Sequence, residues 1–196
     1  MTNWTKLTEN LEKRGFTPKV FANKEEASEY LDREIDGVSV AFGGSMTVQE
    51  MGLYPRLAAH NDALWHWNKD ALEQAATTDV YICSANGLAE TGEIINIDGV
   101  GNRVSSTIFG HRKIYFVVGR NKIAPNYDQA LWRARNIAAP KNCQRLGLKT
   151  PCAVKADKCY NCSSPERSCR ALVVLWEKPR DVERMEIILI DEELGY

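Results

Sequence analysis

The run Val38-Ser39-Val40-Ala41-Phe42-Gly43-Gly44-Ser45-Met46-Thr47-Val48-Gln49-Glu50 decides how the chain is read. Its first five residues are β-branched, small or aromatic and carry no charge, which suits a strand covered on both faces. Gly43-Gly44 then allow a tight turn and a close approach of backbone to a ligand. Thr47 and Glu50 have the T-x-x-E spacing of a capping box, so a helix is expected to start there. A strand that empties into a helix start aims unpaired N–H groups above the sheet, an arrangement suited to an anion. An ordinary tight turn uses the same residues, so the functional reading needs support from the rest of the chain.

Working outward, Trp4, Leu7 and Leu11 recur at helical spacing up to Gly15, and Thr17 to Ala22 suits a short strand. Asn23 with Glu26 reads as the cap of a second helix carrying Ala27, Tyr30 and Leu31. Beyond the Gly-Gly turn a helical segment runs toward Ala59, interrupted near Gly52 and Pro55. Ala63 to Trp67 follows as a strand, Lys69 to Ala76 as a helix and Val80 to Ala85 as a buried strand. Such alternation predicts an α/β fold with a parallel-rich sheet and crossover helices. The second half departs from it. Glu93 to Asp98 and Arg103 to Thr107 flank Asp98-Gly99-Val100-Gly101-Asn102 and suggest a hairpin. Lys113 to Gly119 is a further strand, Tyr127 to Ala138 an amphipathic helix stopped by Pro140, and Ala171 to Trp176 and Met185 to Ile190 are closing strands.

At 196 residues and 44% hydrophobic, the chain can bury one sizeable core. The first twenty residues carry six charges with no apolar stretch, and the apolar run Ala171 to Trp176 is too short to span a bilayer, so a cytoplasmic protein without membrane attachment is expected. The net charge of −1 hides a segregation: Gly99 to Arg170 holds fourteen Lys/Arg against Asp128, Asp157 and Glu166. That surplus suits an anionic ligand or an acidic partner, or else pairing with the acidic remainder. The basic residues are scattered over several elements without a nucleic-acid motif, so nucleic acid is not expected.

Periodicity disappears between Leu148 and Arg170, where Cys152-x6-Cys159-x2-Cys162-x6-Cys169 takes over. A central Cys-x-x-Cys can chelate from a tight turn while the outer two thiols close around it, which points to one four-thiolate metal site. A [4Fe–4S] cluster is the first reading and zinc the alternative; free thiols and redox-switching disulfides are the other uses of such cysteines. Lys155, Lys158, Arg167 and Arg170 would offset the charge of a thiolate-bound centre. Residues 1–147 and 171–196 are thus expected to form the α/β domain, with 148–170 as a cysteine-rich metal-binding insertion. Cys143, just after Pro140, is assigned to a helix end, with a fifth contribution to the metal site as the alternative, and Cys83 to the core.

A second polar loop, Ser84-Ala85-Asn86-Gly87-Leu88-Ala89-Glu90-Thr91-Gly92-Glu93, also follows a buried strand. Loops at the carboxyl ends of parallel strands are where open α/β sheets hold ligands. Glu90 is the candidate general base or nucleophile, with Asn86, Thr91 and Gly92 as binding groups, and a solvated turn is the plainer alternative. Asn102 and Arg103, with Asn121 and Lys122 after the next strand, could hold a carboxylate or phosphate. His60, His66 and His111 lack metal-ligand spacing and read as structural or surface residues.

Gly43-Gly44-Ser45-Met46-Thr47, Glu90-Thr91-Gly92, Asp98-Gly99 with Gly101-Asn102-Arg103, Gly119-Arg120-Asn121-Lys122 and Ala139-Pro140-Lys141-Asn142 together resemble the lactate-utilisation (LUD) domain family, in order and from about residue 5 to the C-terminus. The resemblance implies a three-layer fold similar to the NagB, ribose-phosphate isomerase and CoA-transferase superfamily. It also implies an anion on Gly43, Gly44, Ser45 and Thr47, and chemistry on Glu90. The four-cysteine segment departs from the simplest members and favours a redox role.

Three functions are expected from these readings. The first is binding of a small anionic metabolite (a 2-hydroxy acid, a phosphorylated or a CoA-type ligand) with coupling to a redox partner protein. The second is a CoA-transferase-like or sugar-phosphate isomerase-like enzyme using Glu90 with a structural zinc. The third is a non-catalytic binding or regulatory subunit, which could form a homo-oligomer.

Overall fold

Four predominantly apolar runs, Val40 to Phe42, Val80 to Cys83, Ile114 to Val118 and Met185 to Ile190, are completely or almost completely buried, Glu186 included, and set the architecture. In the computed structural model, which describes residues 2–68 and 71–196, they are central strands of a six-stranded, wholly parallel sheet. The strands in chain order are β1 (Thr17–Phe21), β2 (Ser39–Phe42), β3 (Asp62–Trp65), β4 (Val80–Cys83), β5 (Gly87–Ala89), β6 (Ile94–Asp98), β7 (Lys113–Gly119), β8 (Ile123–Ala124), β9 (Ala171–Leu175) and β10 (Arg184–Ile190). The large sheet has the order β1-β10-β7-β4-β2-β3, and a second sheet has the order β8-β5-β6-β9.

The side-chain period of two along each strand divides the core. Ile114, Phe116, Val118, Ile187 and Leu189 face helix α1 (Trp4–Lys13) and the small sheet through Leu7, Leu11, Leu88 and Ile94. Tyr115, Val117, Ile188 and Ile190 face the other way, onto Ala27 and Leu31 of α2 (Lys24–Glu34), Val48 of α3 (Met46–Glu50) and Leu53 and Leu57 of α4 (Leu53–Leu57). A buried side chain of this size contributes about 1.5–3 kcal/mol, so these two layers dominate the stability. The small sheet has its own cover: Ala130 and Ala134 pack on Ala89, Ile95 and Ala124. Gly87 is required there, because a Cβ would lie 2.5 Å from the Ala130 carbonyl oxygen.

Several expectations change. Ser45, not Thr47, caps α3, its side chain accepting from the Val48 N–H at 3.2 Å. Thr47 lies inside the first turn with its hydroxyl directed to the Leu194 carbonyl. The expected hairpin does not form. Residues 102–106 are helix α5 (Asn102–Ser106), and β6 pairs with β5 and β9 instead. The cause is Asp98, whose carboxylate accepts from the N–H groups of Gly99, Gly101 and Val104 and so opens a helix. Pro140 does not stop its helix either. The chain runs from α6 (Tyr127–Arg133) through a π-helical turn (Ala134–Ala138) into α7 (Ala139–Arg145), the Ala139 N–H reaching back to Ala134 O. The wider turn moves the ring of Pro140 away from the carbonyl it would otherwise strike. Of the expected helix from Lys69 to Ala76, a 3-10 turn over Gln74–Thr77 is present, and Lys69 and Asp70 lie outside the described residues. Within 148–170, α8 (Pro151–Lys155) packs on α7, and the remainder is coil and turns.

Candidate anion site at the switch point of the sheet

The strand order fixes where a ligand can sit. From β2 the chain moves outward to β3, then returns across β2 to β4 and continues the other way to β7 and β10. The order reverses between β2 and β4, and open α/β sheets bind their ligands in the crevice beyond such a point. A cavity of about 300 Å³ lies there, lined from the ends of five parallel strands. Gly44, Ser45 and Met46 follow β2; His66 and Trp67 follow β3; Ser84 and Asn86 follow β4; Lys122 follows β7; and Tyr196 follows β10. Asn102 and Arg103 of α5, Asn142, Cys143 and Arg145 of α7, and Ser168 and Cys169 complete the wall.

Neither glycine of the turn has a left-handed backbone, so freedom of φ is not their purpose. They leave room. A Cβ on Gly43 would lie 2.7 Å from Tyr81 Oη, and one on Gly44 would lie 2.7 Å from Trp67 Nε1. Trp67 in turn stacks on Trp65, with ring centroids 4.8 Å apart, and carries the Arg145 guanidinium over its face at 5.3 Å.

Lys122 is the centre of the site. It is only 4% exposed, and its Nζ donates to Thr47 Oγ1 at 2.7 Å and Ser84 Oγ at 3.0 Å. Among the described residues it forms no ion pair with a carboxylate. Burial, followed by the Arg133 and Arg103 guanidinium groups, pushes its ammonium down to about 7. The C-terminal residues close its far side: Asn121 Nδ2 donates to Gly195 O, Asn121 Oδ1 accepts from Leu194 N–H, and Gly195 passes so close that a Cβ would lie 3.3 Å from Nζ.

Arg103 and Arg133 add positive charge but are held as scaffold. Arg103 donates to Ser84 O, Asn96 Oδ1, Asn86 Oδ1 and Ile97 O, and lies 3.9 Å from Asp98. Arg133, 7% exposed, donates to the carbonyls of Asn121 and Asn86, and burial lowers it to about 10. His66 is held below its usual range by burial and shares a hydrogen bond with Asn102. The cavity wall therefore carries the fixed Arg103 guanidinium and the titratable Lys122 ammonium, with Arg133 buried behind them.

Of the residues expected from the sequence, Gly44, Ser45, Met46, Asn86, Asn102, Arg103 and Lys122 line this cavity. Gly43, Thr47 and Asn121 stand directly behind them. Glu90, Thr91 and Gly92 line neither this cavity nor a second one of about 290 Å³ under the cysteine segment. They form the β5–β6 turn against α1, where Asn10 Nδ2 donates to Glu90 O, Arg14 Nε to Thr91 O, and Arg14 pairs with Glu93 at 2.6 Å. Sequence reasoning missed Trp67, Arg133, Arg145 and Tyr196 and set His66 aside. Arg133 left one sign, a cation on the same helical face as the buried Ala130 and Ala134.

The residues of the basic segment divide between the cavities and the acidic part of the chain. Lys122, Arg103 and Arg145 line the first cavity with Arg133 behind them, and Arg135, Arg167 and Arg170 line the second. Other members pair with the acidic part of the chain, Arg112 with Glu183 and Arg120 with Asp191.

All six cysteines are free thiols. Cys83 is in the core, and Cys143 packs with Cys152 and Ala153. Cys152 Sγ shares a hydrogen bond with Thr150 Oγ1 at 3.3 Å, and Cys159 Sγ accepts from Asn161 N–H at 3.4 Å. Arg167 ties the segment together by donating to the carbonyls of Cys162 and Cys169. Cys159 and Cys169 face the second cavity, and Cys169 also faces the first. Among the described residues no group of three or more His, Cys, Asp or Glu side chains is gathered as a metal site. The donor chemistry nonetheless suits a thiolate-bound group, since four thiols lie in one segment beside three guanidinium groups and an N–H already directed at sulfur.

A solved structure of similar fold agrees with this architecture. No curated protein matches the chain. A DUF162 family protein from Deinococcus radiodurans has a similar structure, with a TM-score of 0.59 at 11% sequence identity over 95% of both chains. Ribose 5 phosphate isomerase A from Neisseria gonorrhoeae aligns over 52% of this chain and 53% of its own, with 14% identity and a TM-score of 0.38. The β subunit of eIF2B from Chaetomium thermophilum covers 54% of this chain and 44% of its own, with 11% identity and a TM-score of 0.38. The LUD domain family matches residues 4–190, nearly the whole chain, and the protein belongs to that family.

Proposed function

We propose that this LUD domain binds a small organic anion, a 2-hydroxy acid or a similar carboxylate, in the cavity at the switch point. One observation carries this reading: Lys122 is a buried cation whose hydrogen-bond partners among the described residues are two hydroxyls and no carboxylate, in a cavity open to a ligand. A bound carboxylate would supply the missing counter-charge and restore the ammonium. The cavity, at about 300 Å³, is at the small end of ligand sites, which suits a metabolite of a few carbons or the acyl end of a larger ligand. The family's association with lactate utilisation supports the same ligand class.

The cysteine segment extends the proposal. Ser168 and Cys169 form part of the cavity wall, so a metal centre held by Cys152, Cys159, Cys162 and Cys169 would adjoin the bound anion. A [4Fe–4S] cluster there would supply one-electron transfer to a redox partner protein, whereas zinc would only stiffen the segment. The placement of Glu90 against α1 supports binding over CoA-transferase-like catalysis by that residue.

A thermal-shift panel of monocarboxylates, 2-hydroxy acids, sugar phosphates and CoA thioesters tests the binding proposal. At a hundred times its Kd a ligand adds about 2.7 kcal/mol to stability. A clear rise in Tm with at least one carboxylate is expected, and no response from any of these anions would refute the proposal. Iron, sulfide and zinc analysis of anaerobically purified protein tests the metal, and its absence would remove the redox coupling alone.

A further inference from the structure

The binding proposal uses the charge of Lys122 and leaves the Ser84 hydroxyl without a task. Ser84 Oγ is 3.0 Å from Lys122 Nζ, Nζ is 2.7 Å from Thr47 Oγ1, and Thr47 Oγ1 is 3.1 Å from the Leu194 carbonyl. With Nζ uncharged, one direction of donation satisfies the whole chain. The Ser84 hydroxyl donates to the Nζ lone pair, Nζ donates to Thr47, and Thr47 donates to Leu194 O. Ser84 and Lys122 both line the cavity, while Thr47, fully buried, lies behind them. A lysine that served only as a structural cation would not need to meet a buried serine in the wall of a ligand site.

We propose that Ser84 and Lys122 form a nucleophile and base pair that accepts the acyl group of a small anionic ester or thioester bound in this cavity. Ser84 Oγ forms a bond to the acyl carbon as its proton passes to Lys122 Nζ. The C–O or C–S bond then breaks, and the departing alkoxide or thiolate takes that proton. Water attacks the resulting Ser84 ester with Lys122 again as base, which releases the carboxylic acid and returns the hydroxyl. The net change is hydrolysis of one ester or thioester by one water. Thr47 is a positioning residue that holds Nζ against Ser84. The ionisable groups around Nζ are Arg133, Arg103, Glu50 and Cys83, and the two guanidinium groups help burial to keep a fraction of the amine unprotonated near neutral pH.

The dyad rests on the anion-binding proposal, because it occupies the same cavity. The full chain treated with p-nitrophenyl acetate provides the test, with nitrophenolate release followed in time and the acetyl group located by mass spectrometry of the digest. Acetylation of Ser84 is expected, with a rate that rises through pH 7 and falls at least about a hundredfold in both Ser84→Ala and Lys122→Met. Acetyl found on Lys122 or only on exposed lysines, or a Lys122→Met rate equal to the parent's, would overturn the dyad. The location of the acetyl and the pH profile are read on the unsubstituted protein, so a variant that folds poorly does not decide the question. Ser84→Ala keeps Lys122. Carboxylate binding retained there with acetylation absent from the parent protein would defeat the dyad and leave the binding proposal standing.

Discussion

Replacing Lys122 by Met tests the electrostatic account of the site through stability. A lysine held near 7 in the folded chain and at its ordinary 10.5 when unfolded carries a penalty below pH 7 on the order of 5 kcal/mol. The sign follows from proton counting. Between these two values the unfolded chain holds a proton that the folded chain lacks, so the penalty is complete below pH 7 and is relieved as pH rises toward 10.5. Met fills a similar volume without charge, while Thr47 and Ser84 each lose a partner, at about 1–3 kcal/mol apiece. These losses offset much of the relieved penalty and are independent of pH, so the stability of Lys122→Met relative to the parent should fall by about 3 kcal/mol from pH 6.5 to pH 9.5. Urea denaturation of both proteins across this range measures the difference. Buried thiols titrate in the opposite sense: burial holds Cys83 up at about 12 and Cys143 at about 11, so each loses stability above the ordinary thiol range. They are common to both proteins and cancel in the difference. A difference that stays constant within about 0.5 kcal/mol from pH 6.5 to 9.5 would show that Lys122 keeps its proton throughout, and the reasoning would fail.

Other outcomes follow from the geometry. Gly44→Ala sets a methyl 2.7 Å from Trp67 Nε1, so it should displace the indole, change the tryptophan emission and cost about 1–3 kcal/mol in denaturant unfolding. Glu90→Gln should leave carboxylate affinity unchanged in calorimetry, because this turn bonds to α1 through backbone carbonyls and the side chain lines neither cavity. Cys159→Ser with Cys162→Ser should abolish any bound iron or zinc in elemental analysis while leaving the far-UV circular dichroism of the sheet intact; metal retained at the parent level would exclude a site on these cysteines.

The sequence was most informative where burial alone decides structure. Val38 to Phe42, Val80 to Cys83, Lys113 to Gly119 and Met185 to Ile190 lack the alternation of a half-exposed strand, and all became parallel strands with both faces covered. It was least informative where one side chain redirects the backbone. Asp98 collects three N–H groups and converts an expected hairpin into a helix, and Ser45 takes the cap expected of Thr47. The π turn before Pro140 depends on packing against the small sheet, which no local pattern encodes. The Gly-Gly turn, Asn86, Asn102, Arg103 and Lys122 could be read as site residues because they follow strands. The burial of Lys122 could not, since it is produced by Leu194 and Gly195, which Asn121 holds over it from the far end of the chain. Glu90 also follows a buried strand, but β5 intervenes and carries it to the α1 side of the molecule.

The most direct test of the central claim is calorimetric titration of small carboxylates into the full chain at pH 6.5, repeated with Lys122→Met. The account predicts saturable binding of at least one 2-hydroxy acid or related carboxylate, weakened tenfold or more by the substitution, with proton uptake appearing as the pH is raised to 8.5. A folded Lys122→Met protein that binds the same carboxylate with undiminished affinity would contradict it.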